Sequence, residues 1–281
     1  MPLVAKGLVH AYPGASAPVL NGLSLDLVPG RVLALCGAAR TGRSTALALL
    51  AGLIVPRDGS VLVDGIRADA PEARGRVGLL LQNADEALFG LTVQEDVMFA
   101  PQQLGLSPDE ARARADDALR AVHLEPETFA GRSPFSLSGG QRRRAAIAGV
   151  MAMNPTYLLL DEPFAGLDPQ GRGETVKVIR GLATQGFGQH TGILVALTDL
   201  DLALQLADAL LILHAGRAAW QGTVAEYVAH PPAVEQWGLR QPVLVALATR
   251  LRETGWCLRL DDPSPEALSR AIAAHRGVVR R

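Results

Sequence analysis

Lysine is almost missing from this chain. Its 281 residues include only Lys6 and Lys177, although Lys and Arg together number 27. Nearly all positive charge is therefore carried by arginine, a long planar group, where a compact ammonium would otherwise serve. Cysteine is as sparse: Cys36 and Cys257 are too few for a disulfide framework or a thiolate zinc site, and fit a reducing compartment. The six histidines, at positions 10, 123, 190, 214, 230 and 275, offer no i, i+4 pair of metal-ligand type. A net charge of -1 gives nucleic acid and anionic lipid no electrostatic claim to be the main partner. Long apolar runs are also lacking: stretches such as Thr45 to Val55 fall short of the roughly 18 residues a membrane helix needs. Met1 to Tyr12 has no cationic start followed by an apolar run. No signal peptide is expected, and the cytoplasm is the expected compartment.

What is present is a composition that folds, with 48% hydrophobic and 20% charged residues. Short apolar runs alternate with segments of helical period, which predicts an α/β protein with a largely buried sheet. Strands are expected at Leu3–His10, Ser24–Val28, Val32–Cys36, Val61–Val63, Val77–Leu81, Tyr157–Leu160, Ile193–Leu197, Ala209–Leu213 and Ala218–Gln221. From Asn83 to Pro155 the pattern turns helical, with helices at Val93–Gln103, Pro108–Val122 behind Ser107 as N-cap, and Gly139–Met153. That stretch reads as a helical subdomain, about residues 84–155, inserted in the α/β core. His230-Pro231-Pro232 breaks the pattern, and residues 231–281 read as an appendix with helices near Pro242–Glu253 and Pro265–His275.

After the strand ending at Cys36 comes Gly37-Ala38-Ala39-Arg40-Thr41-Gly42-Arg43-Ser44-Thr45, then the apolar helix Ala46–Leu53. This follows the phosphate-loop pattern G-x-x-x-x-G-K-[ST], in which backbone N–H groups at a helix N-terminus face phosphates, Lys reaches the β and γ phosphates and the hydroxyl binds Mg²⁺. Gly37, Gly42 and Ser44 match, and Arg43 replaces the lysine. Alone, the pattern also suits an ordinary strand–turn–helix junction with two glycines. Farther on, Tyr157-Leu158-Leu159-Leu160-Asp161-Glu162-Pro163 is an apolar strand ending in two carboxylates. Such an Asp can hold Mg²⁺ and such a Glu can orient or deprotonate water, although acidic turns after strands are common. Ser138 can cap the next helix, and Gly139-Gly140 leave N–H groups open to an anion.

With these pieces in order, the chain resembles the ATP-binding subunits of ABC transporters over about 220 residues. Leu137-Ser138-Gly139-Gly140-Gln141 reproduces the family's signature, and Ala165-Gly166-Leu167-Asp168 resembles its D-loop. Gln82 stands at the Q-loop position and Tyr12 where the family has an aromatic that stacks on adenine. The resemblance implies a P-loop NTPase core over residues 1–230 that binds ATP and Mg²⁺ and hydrolyses ATP. ATP would lie on Tyr12 and Gly37 through Thr45, Mg²⁺ on Ser44, Gln82 and Asp161, and water would be activated by Glu162. In this setting Arg142-Arg143-Arg144 reads as the first turn of the signature helix and no nucleic acid is expected. Gln82–Phe89, Thr92–Val97 and Phe99–Pro101 narrow the resemblance to the cobalt/nickel and energy-coupling factor importers. There the groove near Gln82–Phe89 receives a transmembrane coupling subunit, and a substrate-capture membrane subunit is reached indirectly. The expected place is thus the cytoplasmic face of the plasma membrane. Leu88 and Phe89 would form the transmission surface or else a buried apolar pair. The appendix, with Gly238-Leu239-Arg240-Gln241-Pro242, resembles the extension that helps pair two ATPase subunits; a helical tail packed on its own core fits the same letters.

Three positions depart from the family. Arg43 replaces the loop lysine, Arg40 stands at a position usually glycine, and Thr198 occupies the place of the switch histidine. A threonine hydroxyl is short and uncharged beside an imidazole. Family subunits act as head-to-tail dimers, each ATP lying between one subunit's phosphate loop and the other's signature. Departures on one side and an intact signature on the other imply an unequal heterodimer, whose degenerate site belongs to this chain. A competent homodimer, with Arg43 doing the lysine's work, is the alternative. A non-transport ABC protein is a remote one, since no tandem ATPase domain or long coiled-coil insertion is visible.

Overall fold

The computed structural model describes residues 1–82, 88–185, 190–256, 258 and 262–279. The strands are β1 (Leu3–His10), β2 (Leu20–Leu27), β3 (Val32–Cys36), β4 (Asp58–Val63), β5 (Ile66–Arg67), β6 (Val77–Leu80), β7 (Tyr157–Asp161), β8 (Gly192–Leu197), β9 (Ala209–His214) and β10 (Arg217–Thr223). The helices are α1 (Arg43–Leu50), α2 (Val93–Gln103), α3 (Pro108–Ala121), α4 (Pro126–Phe129), α5 (Gly139–Met151), α6 (Pro169–Gln185), α7 (Leu200–Leu206), α8 (Val224–Ala229), α9 (Val243–Glu253) and α10 (Pro265–Val279).

Two sheets form. The larger runs β10-β9-β3-β8-β7-β6, parallel except for β10 on β9, and the smaller is antiparallel, β2-β1-β4-β5. The central strands β3, β7 and β8 of the larger sheet are apolar on both faces, as a parallel sheet covered on both sides requires. Residues alternate between two cores: Val32, Ala34 and Cys36 of β3 join the helices α2, α3, α5, α6 and α7, while Leu33 and Leu35 face α1 and the antiparallel sheet. Val234, Leu239, Val245 and Ala248 join the first of these cores. The segment after residue 230 therefore packs on the body of the molecule, and Val243 N–H donates to Asp201 in α7 at 3.0 Å.

The elements differ from the sequence reading mainly at their ends. Residues 20–23 extend β2 because Leu20 and Asn21 pair with His10 and Val9, a partner no local pattern reveals. Helix α1 starts at Arg43, three residues before the apolar run that marks it, because Gly42 in a left-handed conformation lets the chain turn into the helix at once. It also ends early, at Leu50. Reciprocal capping boxes begin four helices, Thr92 with Glu95, Ser107 with Glu110, Ser138 with Gln141 and Thr223 with Glu226. Each satisfies two backbone donors that a helix start leaves free. Among the described residues no helix is long and apolar enough to cross a membrane.

Candidate active site

The order β3-β8-β7 in the sheet sets the carboxyl ends of three parallel strands side by side, where ligands of such sheets lie. Residues 37–42 leave β3, Glu162 follows β7, and Thr198 follows β8. In the loop, a Cβ on Gly37 would stand 2.6 Å from Thr41 Oγ1 and 2.8 Å from Leu213 O. Thr41 Oγ1 itself donates to Ala38 O at 2.9 Å, drawing the loop tight. Ala39 and Arg40 are exposed at its crest, and Arg40 holds φ +65°, a left-handed conformation that costs a non-glycine residue about 1 kcal/mol. No side chain caps the start of α1, so the first backbone donors of the helix face the loop, as anion binding there requires.

Ser44 Oγ donates to Asp161 Oδ2 at 2.6 Å. Tyr12, half exposed, shares a 3.1 Å hydrogen bond with Thr45 Oγ1 and sets its ring edge-on to His10. Gln82 lines a cavity of about 720 Å³ together with Ser44 and Asp161. Ser44 and Asp161 thus meet while Gln82 opens on the same cavity, and oxygen donors of this kind suit a hard divalent cation. The same cavity continues over Leu88, Phe89 and Phe99 toward α5. Leu88 is buried and Phe89 is 64% exposed. Phe89 packs edge-on against Phe99, and the backbone at Phe89 and Gly90 is pinned by two 2.8 Å bonds to the buried Asp96. Residues 83–87 of the expected docking surface lie outside the described residues.

The substituted positions part company. Arg40 points to the loop crest, but Arg43 and Thr198 meet on Glu162. Arg43 Nη1 lies 2.8 Å from Glu162 Oε1 and donates to Thr198 Oγ1 at 2.9 Å, while Thr198 Oγ1 donates to Glu162 Oε1 at 2.9 Å. Arg43, expected to hold the β and γ phosphates, is ion-paired in this structure with the carboxylate that follows β7. A guanidinium is long enough to pass across the end of β8 to that of β7, where it meets the carboxylate. The Cys36 thiol at the end of β3 is pushed up to about 12 by burial, which leaves it inert beside these charges.

On another face, Ser138, Gly139, Gly140 and Gln141 line a cavity of about 350 Å³ with Asp168 and Arg144. It shares no lining residue with the larger cavity. Ser138 Oγ accepts from Gln141 N–H, and Asp168 Oδ1 accepts from Gly171 N–H at the start of α6. Leu137 is buried beneath. The arginine triplet turns inward: Arg142 donates to Leu137 O, Arg144 pairs with Glu174 at 3.0 Å, and Arg143 donates to Gln82 O and Ala165 O. Arg143 ties the strand end at Gln82 to the turn before Asp168. Sequence reading missed that role; the available signal was three consecutive arginines, which cannot all share one helix face, ahead of an apolar run.

The model of the ABC transporter family matches residues 20–165. The chain belongs to the ABC transporter ATPase family. As an ABC ATPase it binds and hydrolyses ATP. The energy-coupling factor transporter ATP-binding protein EcfA2 of Symbiobacterium thermophilum is 41% identical over 99% of this chain and 97% of its own length. The cobalt import ATP-binding protein CbiO of Rhodobacter capsulatus is 41% identical over 88% of this chain and 87% of its own. The solved structure of cbiO1 from Clostridium perfringens, described as part of the ABC transporter complex cbiONQ, matches with a TM-score of 0.74 at 31% identity. It covers 88% of this ABC ATPase and 98% of the solved chain.

Proposed function

We propose that this ABC ATPase is the energy-coupling subunit of an importer for a metal ion or vitamin, attached to the cytoplasmic face of the membrane through its membrane partners. It works as one half of an unequal ATPase pair. The observation that carries the second part is the contrast between its two faces: Ser138–Gln141 and Asp168 line an open cavity, whereas Glu162 is held by Arg43. The names of the relatives support the first part.

Each role follows from placement. Tyr12 supplies a face for the adenine ring, and backbone donors of residues 37–45 receive the phosphates. Ser44, Asp161 and Gln82 would hold Mg²⁺, which when bound neutralises charge on the transferred phosphoryl group. Glu162 orients or deprotonates water in its own site only when Arg43 releases it. Ser138, the glycines 139 and 140 and Gln141 complete the site built on the partner ATPase's phosphate loop, and residues 231–281 assist the pairing. Phe89 and Phe99 take the transmembrane coupling subunit, through which the substrate-capture subunit is affected.

ATP turnover by the purified chain tests the unequal pair. It is expected to be slow alone and to rise on adding the second ATPase. Robust turnover alone, abolished by Glu162→Gln, overturns the unequal pair and supports a competent homodimer. At the docking surface, Phe89→Ser is expected to cut substrate uptake by proteoliposomes about tenfold, the cost of one well-packed aromatic anchor, with ATP affinity unchanged. Equal loss of both measures places Phe89 in the nucleotide site instead.

A further inference from the structure

Three side chains close a ring, and the roles above give its hydroxyl member, Thr198, no part. Arg43 is the first residue of α1, Glu162 follows β7 and Thr198 follows β8. All three edges of the ring are short, 2.8, 2.9 and 2.9 Å. The Arg43 side chain is 11% exposed and that of Glu162 21%, so water screens the pair far less than it screens a surface ion pair. The backbone holds the acceptor still. Glu162 N–H donates to Ala196 O at 2.9 Å, which fixes residue 162 at φ +46° beside β8, and Thr198 lies two residues beyond that same Ala196.

A single hydroxyl, accepting from Arg43 and donating to Glu162, uses both of its polar functions inside the ring. Its position leaves the guanidinium one favourable place. The same guanidinium begins the helix whose N-terminus faces the phosphates, so a triphosphate arriving there competes with Glu162 for one cation.

We propose that Thr198 is a positioning residue that latches Arg43 onto Glu162, so that nucleotide binding must draw Arg43 out of this ring before the site can act. The proposal rests on the ATP-site reading given above, and it adds a direction that reading lacks. A residue that merely stabilises the site raises both fold stability and nucleotide affinity. A latch raises stability without nucleotide and lowers affinity, because the energy of the ring is lost when the nucleotide binds.

The test uses the full chain, a fluorescent ATP analogue with Mg²⁺ as probe, and thermal unfolding without added nucleotide. Thr198→Val keeps the shape of the residue and removes both hydrogen bonds. It is expected to lower the unfolding midpoint by about 2–4 °C and to tighten analogue binding by about three- to tenfold. Thr198→Ser, which retains the hydroxyl, restores both values. In an Arg43→Lys background the gain in affinity from Thr198→Val shrinks to within about twofold, since the hydroxyl acts through the guanidinium. Weakened or unchanged binding by Thr198→Val, or an equal gain in the Arg43→Lys background, overturns the latch while leaving the ATP site in place. Absence of analogue binding by every form overturns the ATP-site reading and the latch together.

Discussion

Ser138→Arg in this chain lowers ATP turnover of the assembled transporter by about 100-fold or more, whereas Glu162→Gln in the same chain lowers it by less than about threefold. The asymmetry follows from where the two residues lie. Ser138 opens onto the cavity it shares with Gly139, Gly140 and Asp168, and a bulky cation there fills the space proposed for the partner's nucleotide. Its own helix cap is lost as well, because Ser138 Oγ accepts the Gln141 N–H, at a cost of about 1 kcal/mol. Glu162, in contrast, is paired with Arg43 at 2.8 Å, and under the proposed unequal pair its removal takes away a base that contributes little to steady turnover. Steady-state hydrolysis by the complex, with each substitution in this chain alone, measures both. Comparable losses from the two substitutions identify two equivalent sites, and the unequal pair is then wrong.

Gly42→Ala destabilises the chain by about 2 kcal/mol or more and removes nucleotide binding, while Gly181→Ala stabilises it by about 0.5–1 kcal/mol. Gly42 holds φ +103°, beyond the left-handed region that other residues visit, and a Cβ there would stand 2.8 Å from Val19 O and 2.9 Å from Leu20 Cδ2. Neither neighbour can retreat, since Leu20 is fully buried and pairs with His10. Backbone strain and overlap therefore act together, and the shift they force falls on the loop that receives phosphates. Gly181 sits inside α6 with nothing within 4 Å of its added Cβ, so alanine there only reduces the freedom of the unfolded chain. Denaturant unfolding of the two variants reads both signs; equal destabilisation would show that the Gly42 conformation is not what the loop depends on.

Much of the site is legible in the letters because its parts are local. Ser44 follows the glycine that opens a helix, Asp161 ends an apolar strand, and Ser138 with Gln141 is a capping pair three residues apart. Local conformation dictates each of these, and the structure sets Ser44 and Asp161 together at 2.6 Å. The division between Leu88 and Phe89 was not legible. Leu88 joins the buried core while Phe89 lies against Phe99 and stays exposed, and that depends on packing between elements. Arg143 is similar: the basic triplet reads only as the first turn of the signature helix until that helix is docked and two of its members prove to be buried.

The sequence alone determined the α/β class, the strands apolar on both faces, the phosphate loop with arginine in place of lysine, and the order of motifs that marks an ABC ATPase. The first three follow from periodicity and from spacing within a few residues; the order of motifs is informative only through the resemblance to that family. The tertiary structure alone decided what that arginine touches. Arg43 and Thr198 are 155 residues apart, and Thr198 and Glu162 are 36 apart. They meet because parallel crossover connections place β3, β8 and β7 side by side, so that a long guanidinium finds the nearest carboxylate across a neighbouring strand end, a choice no local pattern encodes.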